Sequence, residues 1–435
     1  MPTPKRWQVI VSAATLLLAG TPAVTASAGP ADTDSARHGR SEWAASWAAA
    51  VTRGNTVGLT NTGLNNQSIR MTVQTTVGGD RLRVRLTNLY GDQAVKVGHA
   101  TVARPDTATE DRSDIDPATL HELTFAGSAS ATINKGAELL SDPLDFPVDE
   151  QEDLVVTLYF PVLTGPVSFH GQSRVTNFIG ATDLTTAAGG AGFTIKPNCC
   201  WMFLSGIDVE RRTSPGSVVV LGDSIGDGNG STVNADQRWP DLLAERLITV
   251  RPEVRTPGVL NMSLAGNRLN HEGPEPGAGG FPGYNELGPN ALARLNEDVF
   301  PQTGVRTLIT HLGINDIWMN GDSAESIIGS LRQINQQAKE RGLTSLVGTI
   351  TPYEGNGGPG VWTEEKEATR QAVNTWLRGA GAAEFDGVLD FDAVLRDPTH
   401  PSRLLPAYDS GDHIHPNDSG ARAMADAVPL RLLGL

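Results

Sequence analysis

The sequence predicts an all-β sandwich or jelly roll over residues 41–212, followed by a three-layer α/β/α domain over 213–435. Three observations carry that reading. Short segments before Val209 alternate apolar and polar residues with a period of two, and turn signals recur about every ten residues. After Pro215 apolar strand candidates alternate with amphipathic helices. Those later strands are continuously apolar, as expected when both faces of a parallel sheet are covered.

The elements follow in order. Lys5 and Arg6 precede an apolar run from Val9 to Ala19, and Ala26-Ser27-Ala28 offers small residues for cleavage. That pattern predicts a signal peptide over 1–28, and its apolar run is too short to span a bilayer. The expected product is a soluble, secreted protein, with residues 29–40 as a polar leader. In the β half, residues 68–77 and 81–91 read as strands joined by a hairpin turn at Gly78-Gly79-Asp80. In the second of these, Leu82, Val84 and Leu86 alternate with Arg81, Arg83 and Arg85, which predicts a strand with one wet face. Residues 153–160 read as a further strand. Trp43, Trp47, Tyr90, Tyr159 and Trp201 are either core or platforms for sugar stacking. Cys199 and Cys200 are adjacent, with Cα atoms about 3.8 Å apart where disulfides usually span about 4.4–6.8 Å. A strained vicinal bridge and two separate thiols both stay open.

In the second half the predicted strands are 217–222, 258–263, 305–313, 343–350 and 385–391. Helices are predicted over 239–250, 289–300, 325–342, 364–379 and 420–433, with Pro429 ending or kinking the last. The segment 273–284, GPEPGAGGFPGY, is too rich in Gly and Pro for regular structure and reads as a loop beside a candidate site.

Composition narrows the function classes. Lys and Arg number 34 against 49 Asp and Glu, a net charge of −15 in 435 residues, and no basic cluster stands out. Nucleic acid and anionic membranes are poor partners for such a chain. No later run approaches 18 uninterrupted apolar residues, so no stable membrane insertion is expected.

Open parallel sheets bind ligands at the carboxyl ends of their strands. The first strand there runs into Asp223-Ser224, the second into Leu264-Ala265-Gly266-Asn267, and the third into Gly313-Ile314-Asn315-Asp316. The loop before the last helix reads Asp412-His413-Ile414-His415. A serine hydroxyl is a weak nucleophile and needs a base, which in turn needs an orienting acid. His415 suits the base, and Asp412 the acid three positions earlier in a tight loop. Donors for a developing oxyanion would be the backbone amides of Ser224 and Gly266 and the side-chain amide of Asn315. Asp223 should point away from the reaction as a structural neighbour.

These residues resemble the SGNH hydrolases, also called the GDSL esterase/lipase family. GDSI at 222–225 matches the first block with Ile225 in place of Leu. NMSLAGN at 261–267, GIND at 313–316 and DHIH at 412–415 match the others, in order. The surrounding text is similar to secreted bacterial members that carry a β-sandwich ahead of the hydrolase domain, including the esterase portion of some xylan-degrading enzymes. The resemblance implies a flavodoxin-like fold and serine ester hydrolysis without metal or other cofactor. It points to a short-chain, acetyl-like ester on a small molecule or polysaccharide.

Rival readings remain for the structure to weigh. Gly222-Asp223-Ser224-Ile225-Gly226 also satisfies G-x-S-x-G, with Asp390 as the acid of an α/β-hydrolase. The glycines could instead cradle a phosphate, although Asp223 and Asp227 would repel it. Asp412, His413 and His415 could hold a metal ion. A lipase- or phospholipase-type acylhydrolase and a non-catalytic carbohydrate-binding protein are the alternative functions. His413 should lie beside the site and His311 should be a packed strand-end histidine.

Overall fold

The computed structural model describes residues 41–108, 113–250, 256–273, 285–357 and 360–433. The expected signal peptide and leader, and 274–284 of the Gly/Pro loop, lie outside the described residues.

The N-terminal half is antiparallel and sheet-rich. One sheet joins Glu42–Ala48, Leu204–Arg211, Gly79–Thr87 and Leu144–Val148, with Glu138–Leu140 also paired to the third of these. A second sheet runs Phe193–Lys196, Asn177–Ala181, Gln67–Gln74, Asp153–Phe160, His99–Ala103 and His121–Glu122. Leu82, Val84 and Leu86 of the first share a core with Ile69, Met71, Val73, Leu154, Val156 and Leu158 of the second. The period of two thus places one face of each strand in the sandwich core. Trp47 and Trp201 belong to this core, edge to face with centroids 4.9 Å apart. Trp43 lies under the Arg83 guanidinium, Tyr90 donates to Glu297 and Tyr159 to Asn66. Cys199 and Cys200 form a vicinal disulfide.

Two local expectations are corrected. Gly78-Gly79-Asp80 is not a hairpin turn. Gln67–Gln74 has Asp153–Phe160 on one side and Asn177–Ala181 on the other, so the joint carries the chain into the opposite sheet. Thr75 and Thr76 steer that crossing by donating their amides to Glu152 and Ser46. Nor is the arginine face of Gly79–Thr87 simply wet. Arg83 and Arg85 pair with the buried Asp208, and Arg85 also donates to Gln302 and Thr303 of the C-terminal half. Alternation located the face but not what covers it.

The C-terminal half holds a five-stranded parallel sheet in the order Gly258–Asn261, Ser217–Gly222, Val305–His311, Thr344–Gly348, Gly387–Leu389. Relative to chain order this is 2-1-3-4-5, the doubly wound arrangement, with its switch point between the first and third strands. Helix Trp239–Val250 packs with Asp418–Ala427, and Ala324–Glu340 with Glu364–Arg378, giving the two outer layers. Their ends obey local chemistry. Ser323, Thr363 and Asn417 cap amide groups of Ser326, Lys366 and Gly420. Ile327, Leu331, Ile334 and Ala338 bury one stripe of the Ala324–Glu340 helix. The last helix ends at Ala427, ahead of Pro429. The helix expected over 289–300 begins as Ala291–Arg294, then widens to a π-turn over Leu295–Val299. There the buried Arg294 pairs with Asp298 at i+4.

The described residues of the two halves share one compact unit. Ala45, Ala48 and Ala50 of the sandwich lie in the core of the parallel sheet, and Ala49 bridges Asn261 beside its edge strand.

Candidate active site

The switch point gathers residues from four segments. Ser217–Gly222, buried throughout, aims the chain into a short helix, Ser224–Asp227. Asp223 caps that helix by accepting from the Ile225 amide, which turns its carboxylate away from the neighbouring serine hydroxyl. Its complete burial pushes the carboxyl up to about 7. Ser224 therefore sits at the first helical position, 6% exposed, where backbone amides collect at the sheet edge.

The second strand delivers Gly266. Its φ of +76° favours glycine, and its missing side chain leaves room for Leu287. The next residue, Asn267, is buried and donates to the Leu287 and Pro289 carbonyls. Asn315, after the third strand, donates to the Asn267 carbonyl at 3.1 Å. Asp316 ties the same two loops together by accepting the Leu269 and Asn270 amides. Burial raises the Asp316 carboxyl to about 6 against the pull of those amides.

Two successive aspartate turns shape the loop before the final helix. Asp409 accepts the amides of Gly411 and His413, and Asp412 those of Ile414 and His415. Asp412 Oδ2 lies 2.5 Å from His415 Nδ1, and His415 Nε2 lies 2.8 Å from Ser224 Oγ. Burial pushes the Asp412 carboxyl up, but the His415 hydrogen bond and charge and the two amides outweigh it. The carboxyl ends well below the usual carboxylate range.

Ser224, Gly266, Asn315, Asp412 and His415 all line one cavity of about 240 Å³. Leu287, Trp318, Met319 and Ile414 supply its apolar lining, and Gln172, Glu286 and Asn356 much of the polar remainder. A hydroxyl, an imidazole and a carboxylate in hydrogen-bond series can generate a nucleophile at neutral pH.

The rival residues lie elsewhere. Asp390 caps the helix Phe391–Leu395 and pairs with Arg378, so it does not serve the base. His413 pairs with Asp409 and is half exposed, while Asp412 and His415 bind each other, so these three do not converge as ligands. His311 packs against Phe391, and burial pushes its imidazole down to about 4. Among the described residues, His271, Asp316 and Asp322 have ligand-like spacing, but Asp316 already accepts two amides and His271 contacts Asp322.

Sequence reasoning missed Gln172, Glu286, Trp318, Met319 and Asn356. Trp318 and Met319 closely follow Asn315, so proximity could have flagged them. Gln172 comes from the antiparallel half and gives no local signal.

Residues 220–423 match the GDSL-like lipase/acylhydrolase family. No match was found among curated proteins. Similar solved structures include a GDSL-like lipase from Bacteroides thetaiotaomicron, at 14% identity over 50% of this chain and 87% of that one, with a TM-score of 0.36. They also include an acetylxylan esterase from Geobacillus stearothermophilus, at 21% identity over 51% of this chain and 95% of that one, TM-score 0.36. No described helix is long and apolar enough to cross a membrane.

Proposed function

With its C-terminal half a member of the GDSL-like lipase/acylhydrolase family, the protein is a carboxylic ester hydrolase, and we propose that it is a secreted serine esterase acting on short, acetyl-like acyl groups, including those carried on carbohydrate. The observation that carries this reading is the unbroken series Asp412–His415–Ser224 opening into a small cavity.

In the proposed cycle His415 Nε2 takes the Ser224 proton as Oγ attacks the ester carbonyl. Asp412 holds the imidazole by Nδ1 and stabilises the imidazolium. The amides of Ser224 and Gly266 and the side chain of Asn315 receive the oxyanion. His415 then returns the proton to the leaving alcohol, and a water activated in the same way releases the acid from the acyl-enzyme.

Size and charge support the substrate class. The cavity is smaller than the roughly 300–1,000 Å³ usual for drug-sized ligands. Each buried methylene of a long acyl chain needs an apolar wall, worth about 0.8 kcal/mol. The described lining has two carboxylates, Glu286 and Asp412, and no Lys or Arg, which disfavours anionic headgroups. Export is supported by the sequence pattern of residues 1–28.

The test is kcat/KM for p-nitrophenyl esters from about two to sixteen carbons, with acetate release from acetylated xylan alongside. The expected profile peaks at the shortest chains. A rate climbing toward the longest chains removes the short-acyl reading in favour of a lipase, and short-chain activity without acetate release removes only the carbohydrate.

A further inference from the structure

None of the proposed catalytic groups comes from the antiparallel half, yet its strand Ser168–His170 reaches the site. His170 is 1% exposed and tilts against Trp201. Its Nδ1 lies 2.9 Å from the Ala50 carbonyl oxygen. Its Nε2 lies 3.1 Å from the Gln172 carbonyl oxygen and 2.9 Å from Asp227 Oδ1. All three neighbours are acceptors, so both ring nitrogens donate and the ring is an imidazolium. Asp227 is equally buried and stands three residues after Ser224 on the same short helix. Its second oxygen accepts the Ala265 amide at 2.9 Å. The peptide that follows Ala265 carries the Gly266 amide.

We propose that His170 is a positioning residue of the esterase site: it fixes Asp227, which locks the Ala265 amide and so sets the Gly266 amide against Ser224. This rests on Ser224 as nucleophile and Gly266 as oxyanion donor. The carboxylate of Asp227 joins the nucleophile's turn to the oxyanion loop, and a buried carboxylate holds one geometry only when its charge is met. The cation that meets it is borne by the antiparallel half. That half is therefore part of the active site's frame, independent of any carbohydrate it binds. Gln172, two residues on, lines the cavity directly and places the same segment at the substrate.

A small displacement of an oxyanion donor lowers the rate without weakening ground-state binding. His170→Phe and Asp227→Ala are therefore expected to cut kcat for p-nitrophenyl acetate on the order of 10- to 100-fold, with KM within about threefold. The double variant should be no slower than the worse single variant, because both act through one amide. His170→Gln, whose amide still donates to Asp227 but brings no charge, should give a kcat between those of His170→Phe and wild type. A folded His170→Phe protein with wild-type kcat overturns the proposal, as do losses that multiply in the double variant. If His170→Phe does not fold, Asp227→Ala decides: wild-type kcat there is equally contrary. Wild-type protein run in parallel separates the two levels, since no turnover by it removes the esterase reading itself.

Discussion

Asp412 Oδ2 and His415 Nδ1 lie 2.5 Å apart across a three-residue turn, and the same carboxylate's other oxygen takes the His415 amide. One aspartate thus fixes both the backbone and the ring of His415. Removing the orienting acid of a triad can cost on the order of 10⁴ in kcat. Asp412→Asn should lose about that much in a p-nitrophenyl acetate assay. Asp390→Asn, which disturbs a helix cap and the Arg378 pair, should stay within roughly tenfold of wild type. The opposite ranking would move the acid to the end of the fifth strand.

Asn315 has one amide hydrogen engaged by the Asn267 carbonyl and lines the cavity beside Ser224. Its remaining hydrogen is the one proposed for the oxyanion. Asn315→Ala should lower kcat by roughly 10²–10³ with little change in KM. An unchanged kcat takes Asn315 out of the oxyanion site and leaves the two backbone amides alone there.

His311 gives a pH signature of stability rather than catalysis. Burial holds its imidazole at about 4, below the roughly 6.5 of an unfolded chain. Between those values the unfolded state binds the extra proton, so this contribution is complete above about pH 6.5 and is lost as pH falls toward 4. The buried Asp223, Asp298 and Asp316 have raised values and act in the opposite sense, so the comparison must be with a His311→Phe protein that retains them. Urea unfolding of both proteins should show wild type losing roughly 2–3 kcal/mol more than the variant between pH 7.5 and pH 4. Parallel pH curves would mean that His311 charges freely in the folded state.

The parallel domain was readable because its signals are local. Buried strands are continuous apolar runs, and the candidate site residues sit where strands end. The turn from Asp412 to His415 was legible for the same reason, since an aspartate turn acts over two or three residues, whereas the Asp409 turn ahead of it went unread. What escaped depends on packing between distant segments. Arg83 and Arg85 read as solvent-facing until Asp208 and Thr303 meet them. Gly78-Gly79 reads as a hairpin until both edges of Gln67–Gln74 are found occupied. His170 is separated by 57 residues from the carboxylate it serves, and nothing in its neighbourhood announces that pairing.

The most direct test of the account is turnover by a Ser224→Ala protein. The substitution removes one hydroxyl from a 6% exposed position and leaves the fold's hydrogen bonds otherwise in place. Circular dichroism and the thermal midpoint should match wild type. Hydrolysis of p-nitrophenyl acetate should fall by roughly 10⁶, as when a triad serine is lost. Folded Ser224→Ala protein that turns the ester over at the wild-type rate would contradict the serine mechanism outright.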